Sequence, residues 1–266
     1  MKTNYVILCD GVGNIIQSIP FIKVLRAMSD KLVALDRADY PGTSKIVSKL
    51  FDEIIPLKDA PPGNRYGIPP LEKFKHNPEY KSWFQFHKIP EPVMYRIDRD
   101  DVYFDEIEDQ VDFIIWGGCK PNWKSKMWPY WADLAELLLE DFIVGVIGLP
   151  GEGGDFPKGV EDFRGKLSLT ETGGLIDRSP YYIGNEGGLT HYANALQKMM
   201  WVIWGGSSMT KNMPPPREHY YSISQNLDCQ PCQWRLPGPK GCGDYKCLDD
   251  LMPSVVYKKI NEVLMQ

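Results

Sequence analysis

Apolar and polar positions along this chain alternate between two periods. Short apolar runs at Tyr5–Cys9, Lys31–Leu35 and Glu53–Leu57 read as buried strands. Between them, Ile15–Met28 carries Ile15, Ile16, Ile19, Ile22 and Leu25 along one side, which predicts a helix, and Thr43–Phe51 predicts a second. The pattern breaks from Lys58 to about Asp105, where seven prolines lie among aromatic and charged residues. Only Leu71–His87 reads as helical there, with Pro78 interrupting it. Regularity returns with strands at Val111–Trp116, Phe142–Ile147, Tyr181–Ile183 and Met200–Trp204. Helices are expected at Tyr130–Leu139, Leu169–Asp177, Leu189–Ala195 and Ser254–Leu264. Strand and helix in alternation predict an α/β fold of parallel sheets with crossover helices. The simplest division is two Rossmann-like halves, residues 1–109 and 110–266, facing a cleft. The first half is short, and the final helix is expected to cross back onto it.

Composition adds limits. The 266 residues suffice for one large or two small domains with real cores. Hydrophobic residues at 43% and charged residues at 24% are those of an ordinary globular protein. The net charge of −5 supplies no global basic field for nucleic acid or anionic membrane. No apolar run approaches the ~20 residues of a membrane-spanning helix. Met1-Lys-Thr-Asn leads directly into a strand, without the basic-then-apolar pattern of a signal peptide. A cytoplasmic protein is expected, compatible with a peripheral place at a membrane through its acceptor.

Candidate chemistry gathers at strand-to-helix turns. In Tyr181–Leu196 an apolar strand runs into Glu186, Gly187, Gly188, Leu189, Thr190 and His191 and then into a helix. A helix N-terminus favours an anion, and glycines let it approach the backbone N–H groups closely. Val111–Cys119 is a strand ending in two glycines, followed by Lys120, Lys124, Lys126 and Trp128. Each turn alone is equally well explained by tight-turn geometry. Together they read as a site for a charged, hydroxyl-rich ligand such as a nucleoside diphosphate sugar. No Gly-x-Gly-x-x-Gly with a downstream ribose acid is present, which disfavours a nicotinamide dehydrogenase.

Five segments, in order, resemble those of glycosyltransferase family 9, the heptosyltransferase type. Gly11-Val-Gly-Asn-Ile-Ile-Gln-Ser-Ile-Pro20 resembles the family's first loop, and Lys126-Met-Trp128-Pro its Lys-x-Trp-Pro segment. Phe163–Glu171 is similar to its Gly-Lys-Thr-Ser-Leu junction, Asn185–His191 to its nucleotide-sugar loop, and Trp204–Ser208 to its Phe-Gly-x-Thr-Ser. The resemblance covers nearly the whole chain. It implies the GT-B arrangement, with an acceptor-side first half and a donor-side second half. The implied activity is inverting transfer of a sugar from a nucleoside diphosphate sugar to a hydroxyl of a glycan or lipid-linked acceptor. Where the family carries Asp in the first loop this chain has Asn14, and Glu186 replaces the Asp of the donor loop.

On that reading Lys126 neutralises the leaving diphosphate, with Lys124 second, and the N–H groups of Gly187, Gly188 and Leu189 share the charge. Glu186 orients a hydroxyl, His191 donates to phosphate or sugar, and Thr190 and Gly13 complete the donor site. Asp10 is the candidate base, against the plainer role of a turn-forming Asp. Asn14 positions the acceptor or caps the first helix. Two other classes stay open: a non-catalytic nucleotide-sugar binder, motivated by Asn14, and a transferase acting on hydroxylated bases of nucleic acid.

Cys229-x2-Cys232-x9-Cys242-x4-Cys247, in a loop rich in Pro and Gly, has the spacing of a structural zinc site. Disulfides and free thiols are the rival readings. Four thiolates would leave no open position, so no catalytic divalent metal is expected. Trp123, Trp128 and Trp131 wall the cleft or pack in the core. Asp98–Asp105 reads as a solvated acidic linker, Met213–Arg217 as an exposed loop, and the isolated Cys9 and Cys119 as core residues.

Overall fold

A computed structural model describes residues 2–8, 11–37, 42–67, 78–213, 219–232 and 242–266. Two parallel sheets form the chain. The first contains β1 (Thr3–Ile7), β2 (Lys31–Asp36), β3 (Glu53–Pro56) and β4 (Asn64–Tyr66) in the order β3-β2-β1-β4. The second contains β5 (Phe113–Trp116), β6 (Val144–Val146), β7 (Glu161–Asp162), β8 (Tyr181–Asn185), β9 (Met199–Ile203) and β10 (Tyr220–Ile223). Its order, β10-β9-β8-β5-β6-β7, is the doubly wound Rossmann order read from the far edge. In such a sheet the chain reverses its winding between the two central strands. Here those strands are β5 and β8, paired with Ile114 opposite Tyr182 and Trp116 opposite Gly184. A crevice therefore opens beyond Trp116 and Asn185, where both glycine turns begin.

The central strands are apolar on both faces because helices cover both. One core holds Val6, Ile16, Ile19 and Phe21 of the first half together with Ile114, Tyr182, Tyr192 and Val202 of the second. Another lies wholly within the second half, around Phe113, Trp131, Ile183, Trp201 and Ile260. Helices α1 (Val12–Ala27) and α6 (Gly188–Ala195) pack against each other between the sheets. Among the described residues, no helix is long and apolar enough to cross a membrane.

Several expectations are corrected. Helix Thr43–Phe51 is a short α2, Thr43–Ile46, followed by a 3-10 turn at Ser48–Leu50. Among the described residues of the proline-rich region, the α-helix is Glu79–His87, α3, since Pro78 lacks a helical conformation; residues 68–77 lie outside the described set. Among the described residues, helix α9 (Pro253–Leu264) is not packed on the first half. It packs on α4 (Trp131–Leu138), burying Val256 and Ile260 in the second core. Trp128 and Trp131 are core residues at 2% and 0% exposure, with Trp128 Nε1 donating to Leu251 O at 2.8 Å. Strands β4, β7 and β10 were not expected, because two to four residues at a sheet edge carry too little periodicity to read.

The acidic stretch is not a solvated linker. Asp98 and Asp101 each meet Lys23 Nζ at 2.9 Å, and Arg99 forks onto Asp177 at 2.7 and 2.8 Å. Asp105 takes Lys45 Nζ at 3.1 Å, Tyr103 Oη at 2.8 Å and the Thr170 hydroxyl. These hydrogen bonds, Thr170 first, hold its carboxyl at about 2. The segment thus ties α1 and α2 to α5 (Leu169–Arg178).

A candidate nucleotide-sugar cleft

The turn after β8 holds the charged centre. Glu186 is 5% exposed, and its Oε2 lies 2.5 Å from Lys126 Nζ. Lys126 ends a 3-10 turn, Lys124–Lys126, and its ammonium also sits 4.6 Å over the Trp123 ring. His191 follows in the first turn and a half of α6, with Nε2 3.8 Å from Glu186 Oε1 and 3.4 Å from Gln17 Nε2 of α1. Burial alone would raise the Glu186 carboxyl. The Lys126 ammonium, and then His191, outweigh it and hold Glu186 well below the usual carboxylate range. The contact at 2.5 Å is an ion pair without hydrogen-bond alignment, since Oε2 meets no donor at a proper angle.

Lys124 and Lys126 are separated by the fold. Ser125, between them, is buried and its carbonyl accepts from Gly206 N at 2.8 Å, so neighbours on either side diverge. Lys126 turns toward Glu186 and Lys124 is exposed. The two glycine turns are fastened together by Asn185, whose Nδ2 donates to Gly117 O at 2.9 Å. Thr190 turns inward, bonding Asn185 O and approaching Tyr182 Oη at 3.1 Å. Gly187 is the cap residue of α6, and Gly188 and Leu189 form its first positions.

The first half reaches the same spot. A Cβ at Gly13 would stand 2.7 Å from His191 Cδ2, and one at Gly188 would stand 3.2 Å from Val12 Cβ. Glycine at both places lets α1 and α6 meet beside the charged pair. Asn14 is not the cap of α1. Gly11 is, so Asn14 occupies the third helical position. Asp10 and Cys9 lie outside the described residues.

One residue here was missed by sequence reasoning, and one buried charge elsewhere. Glu152, in the Gly-rich turn after β6, accepts from Leu149 N at 2.9 Å and Trp116 Nε1 at 3.3 Å. A Cβ at Gly118 would be 2.1 Å from its Oε2, so this carboxylate lies directly over the turn after β5. The signal was present: an acid among glycines after a parallel strand, Gly151-Glu-Gly-Gly154. Lys211 is 1% exposed in α7 (Met209–Asn212), where a polar Met-Thr-Lys-Asn sequence gives no sign of burial. Cys119 is half-buried near Lys126; burial pushes its thiol up to about 11.

The four late cysteines are free thiols, Cys232 and Cys247 buried and Cys229 and Cys242 exposed. Burial pushes Cys247 up to about 12, and Cys232, Cys229 and Cys242 push the same way. Among the described residues, no three His, Cys, Asp or Glu groups stand close enough to hold a metal. Cys242 Sγ instead faces Asp244 O at 2.8 Å.

Residues 114–237 match the family model "Glycosyltransferase family 9 (heptosyltransferase)". Lipooligosaccharide heptosyltransferase 2 of Haemophilus influenzae is 27% identical over 156 residues, covering 53% of this chain. The match spans 44% of that relative, less than half its length. Among solved structures, the ADP-heptose LPS heptosyltransferase II of E. coli superposes with TM-score 0.74 at 17% identity, covering 100% of this chain and 99% of that one. The iron-containing dodecameric glycosyltransferase TibC of enterotoxigenic E. coli superposes with TM-score 0.77 at 15% identity, covering 100% and 79%. The fold is that of these GT-B enzymes, and residues 114–237 are similar to glycosyltransferase family 9 (heptosyltransferase).

Proposed function

We propose that this protein is an inverting glycosyltransferase that takes a sugar from a nucleoside diphosphate sugar, of the ADP-heptose class, and places it on a hydroxyl of a lipid-linked glycan. The observation that carries this reading is the buried Lys126–Glu186–His191 cluster at the crevice between β5 and β8. An ammonium held at a helix N-terminus in a buried crevice is suited to a leaving diphosphate. The acceptor oxygen bonds to the anomeric carbon from the face opposite the phosphate. The bond from that carbon to the phosphate oxygen breaks, and the nucleoside diphosphate leaves with the electron pair. Lys126 and the N–H groups of Gly187, Gly188 and Leu189 stabilise that charge.

Glu186 is a poor proton acceptor because its carboxyl is held so far down, so its work is orientation of a sugar hydroxyl. Glu152, over the neighbouring turn, would accept from a ribose hydroxyl; its bond from Leu149 N, which holds it there, supports that role. The acceptor proton goes to Asp10, with Asn14 orienting the acceptor; Gly13 keeps that side open.

The test is a thermal-shift panel of ADP, UDP, GDP, CMP and TDP with their sugar conjugates. At a hundredfold excess over Kd, binding contributes about 2.7 kcal/mol, a rise of several degrees. ADP and ADP-heptose are expected to give that rise, and a flat panel would remove the donor site from this crevice.

We also propose that Cys229, Cys232, Cys242 and Cys247 close around one structural metal ion. The Cys-x2-Cys and Cys-x4-Cys pairs carry the idea, since four thiolates suit a tetrahedral cation. Elemental analysis should find one zinc or iron per chain and none in Cys232→Ser; a metal-free wild-type protein that keeps its melting temperature under chelator would end the idea.

A further inference from the structure

We infer that Gln17 is a positioning residue that reaches from the first half and fixes the hydrogen of His191 on Nε2, aimed at Glu186. The inference rests on the proposed function for its catalytic consequence, but its structural part stands on buried atoms alone. Gln17 is 2% exposed and His191 3%, so neither can turn to water. The contact is close by construction, because only glycine at position 13 leaves His191 its place against α1.

With Gln17 Nε2 facing His191 Nε2 at 3.4 Å, the amide must donate and Nε2 must be bare. That arrangement is costly. His191 Nδ1 would then carry a hydrogen with no acceptor, and Gln17 Oε1 would lack a donor, since neither atom has a partner. It would also point a bare Nε2 lone pair toward the Glu186 carboxylate, 3.8 Å away. Exchanging the two ends of the amide keeps its shape and removes both faults. Oε1 then accepts from Nε2–H, and the same hydrogen lies in the field of Glu186. The residual cost is an amide NH2 and a bare Nδ1 without partners, which neutral groups bear more cheaply than a carboxylate bears a facing lone pair.

The consequence for transfer is mechanical. His191 and Glu186 belong to the second half and Gln17 to α1 of the first. A hydrogen on Nε2 keeps Glu186 engaged from one side while Lys126 engages it from the other. The donor-loop charges are thus set only when the first half is seated.

Gln17→Met keeps the length and removes the oxygen; Gln17→Glu restores an oxygen at the tip. The measurement is the long-range proton–nitrogen correlation spectrum of His191, which needs no substrate. Wild-type protein is expected to show hydrogen on Nε2, Gln17→Met a mixture with the Nδ1 form, and Gln17→Glu the wild-type form. In transfer assays Gln17→Met should lose tenfold to a hundredfold in kcat, as expected for misplacement of a group at the reacting centre, with donor KM within threefold. A bare Nε2 in the wild type, an unchanged His191 signal in a folded Gln17→Met, or unchanged kcat would overturn the role. Absence of transfer by the wild-type chain with every donor would count against the proposed function instead, and the His191 spectrum would still decide for or against Gln17.

Discussion

Replacing Lys126 with methionine is expected to lower kcat a hundredfold to a thousandfold while weakening donor binding far less. Among the described residues the Lys126 ammonium is the Lys or Arg cation within ion-pair reach of Glu186, and it stands at the helix end where the leaving diphosphate would gather charge. Removing one preorganised donor from a charge-stabilising site typically costs that much in turnover. The same change should also destabilise the fold. It leaves a carboxylate at 5% exposure without its ammonium, and breaking a buried pair from one side costs about 3–5 kcal/mol. Steady-state kinetics beside urea unfolding separates the two effects. The double variant Lys126→Met/Glu186→Gln should recover much of the stability and none of the turnover, because it removes the stranded charge but not the need for an ammonium. Turnover restored by the second change would show that Lys126 acts only through folding.

Glu186→Gln is expected to weaken donor binding tenfold or more and to remove an acid-dependent part of the stability. A hydrogen bond to a charged group contributes about 1.5–3 kcal/mol, which sets the binding loss. The pH effect has a definite sign. The folded-state carboxyl of Glu186 lies well below its ordinary value of 4.5, so its contribution is fully present above that value. It is lost as pH falls below 4.5 toward the depressed folded value. Wild type should therefore exceed Glu186→Gln in unfolding free energy at pH 7, and the gap should narrow steadily between pH 5 and 3. Asp105, held at about 2, adds a parallel acid limb shared by both proteins and cancels in the difference. A gap independent of pH would mean that Glu186 is not ionised in the folded chain.

Much of the candidate site was legible because its parts are local. A strand that runs into Glu186-Gly187-Gly188 and then a helix writes its own turn chemistry, and Lys126-Met-Trp128-Pro does the same beside it. The choice between Lys124 and Lys126 was not local. It was made by Ser125, buried through a bond to Gly206 some eighty residues away. Gln17 was hidden for a similar reason: it lies on a helix whose neighbours Ile15, Ile16 and Ile19 read as pure core, and its partner is 174 positions distant. The acidic run at Asp98–Asp105 looked solvated because its cations, Lys23, Lys45 and Arg99, are mostly contributed by remote elements.

The sequence alone therefore determined the alternation of strands and helices, the parallel α/β class and the place of the glycine turns. Those follow from periodicity and backbone preference within about ten residues. Tertiary structure decided the order β10-β9-β8-β5-β6-β7, the attachment of α9 to α4 and the meeting of Gly13, Gln17 and His191. Such pairings depend on which apolar faces bury one another and which buried polar atoms find partners, and neither is written in the local pattern.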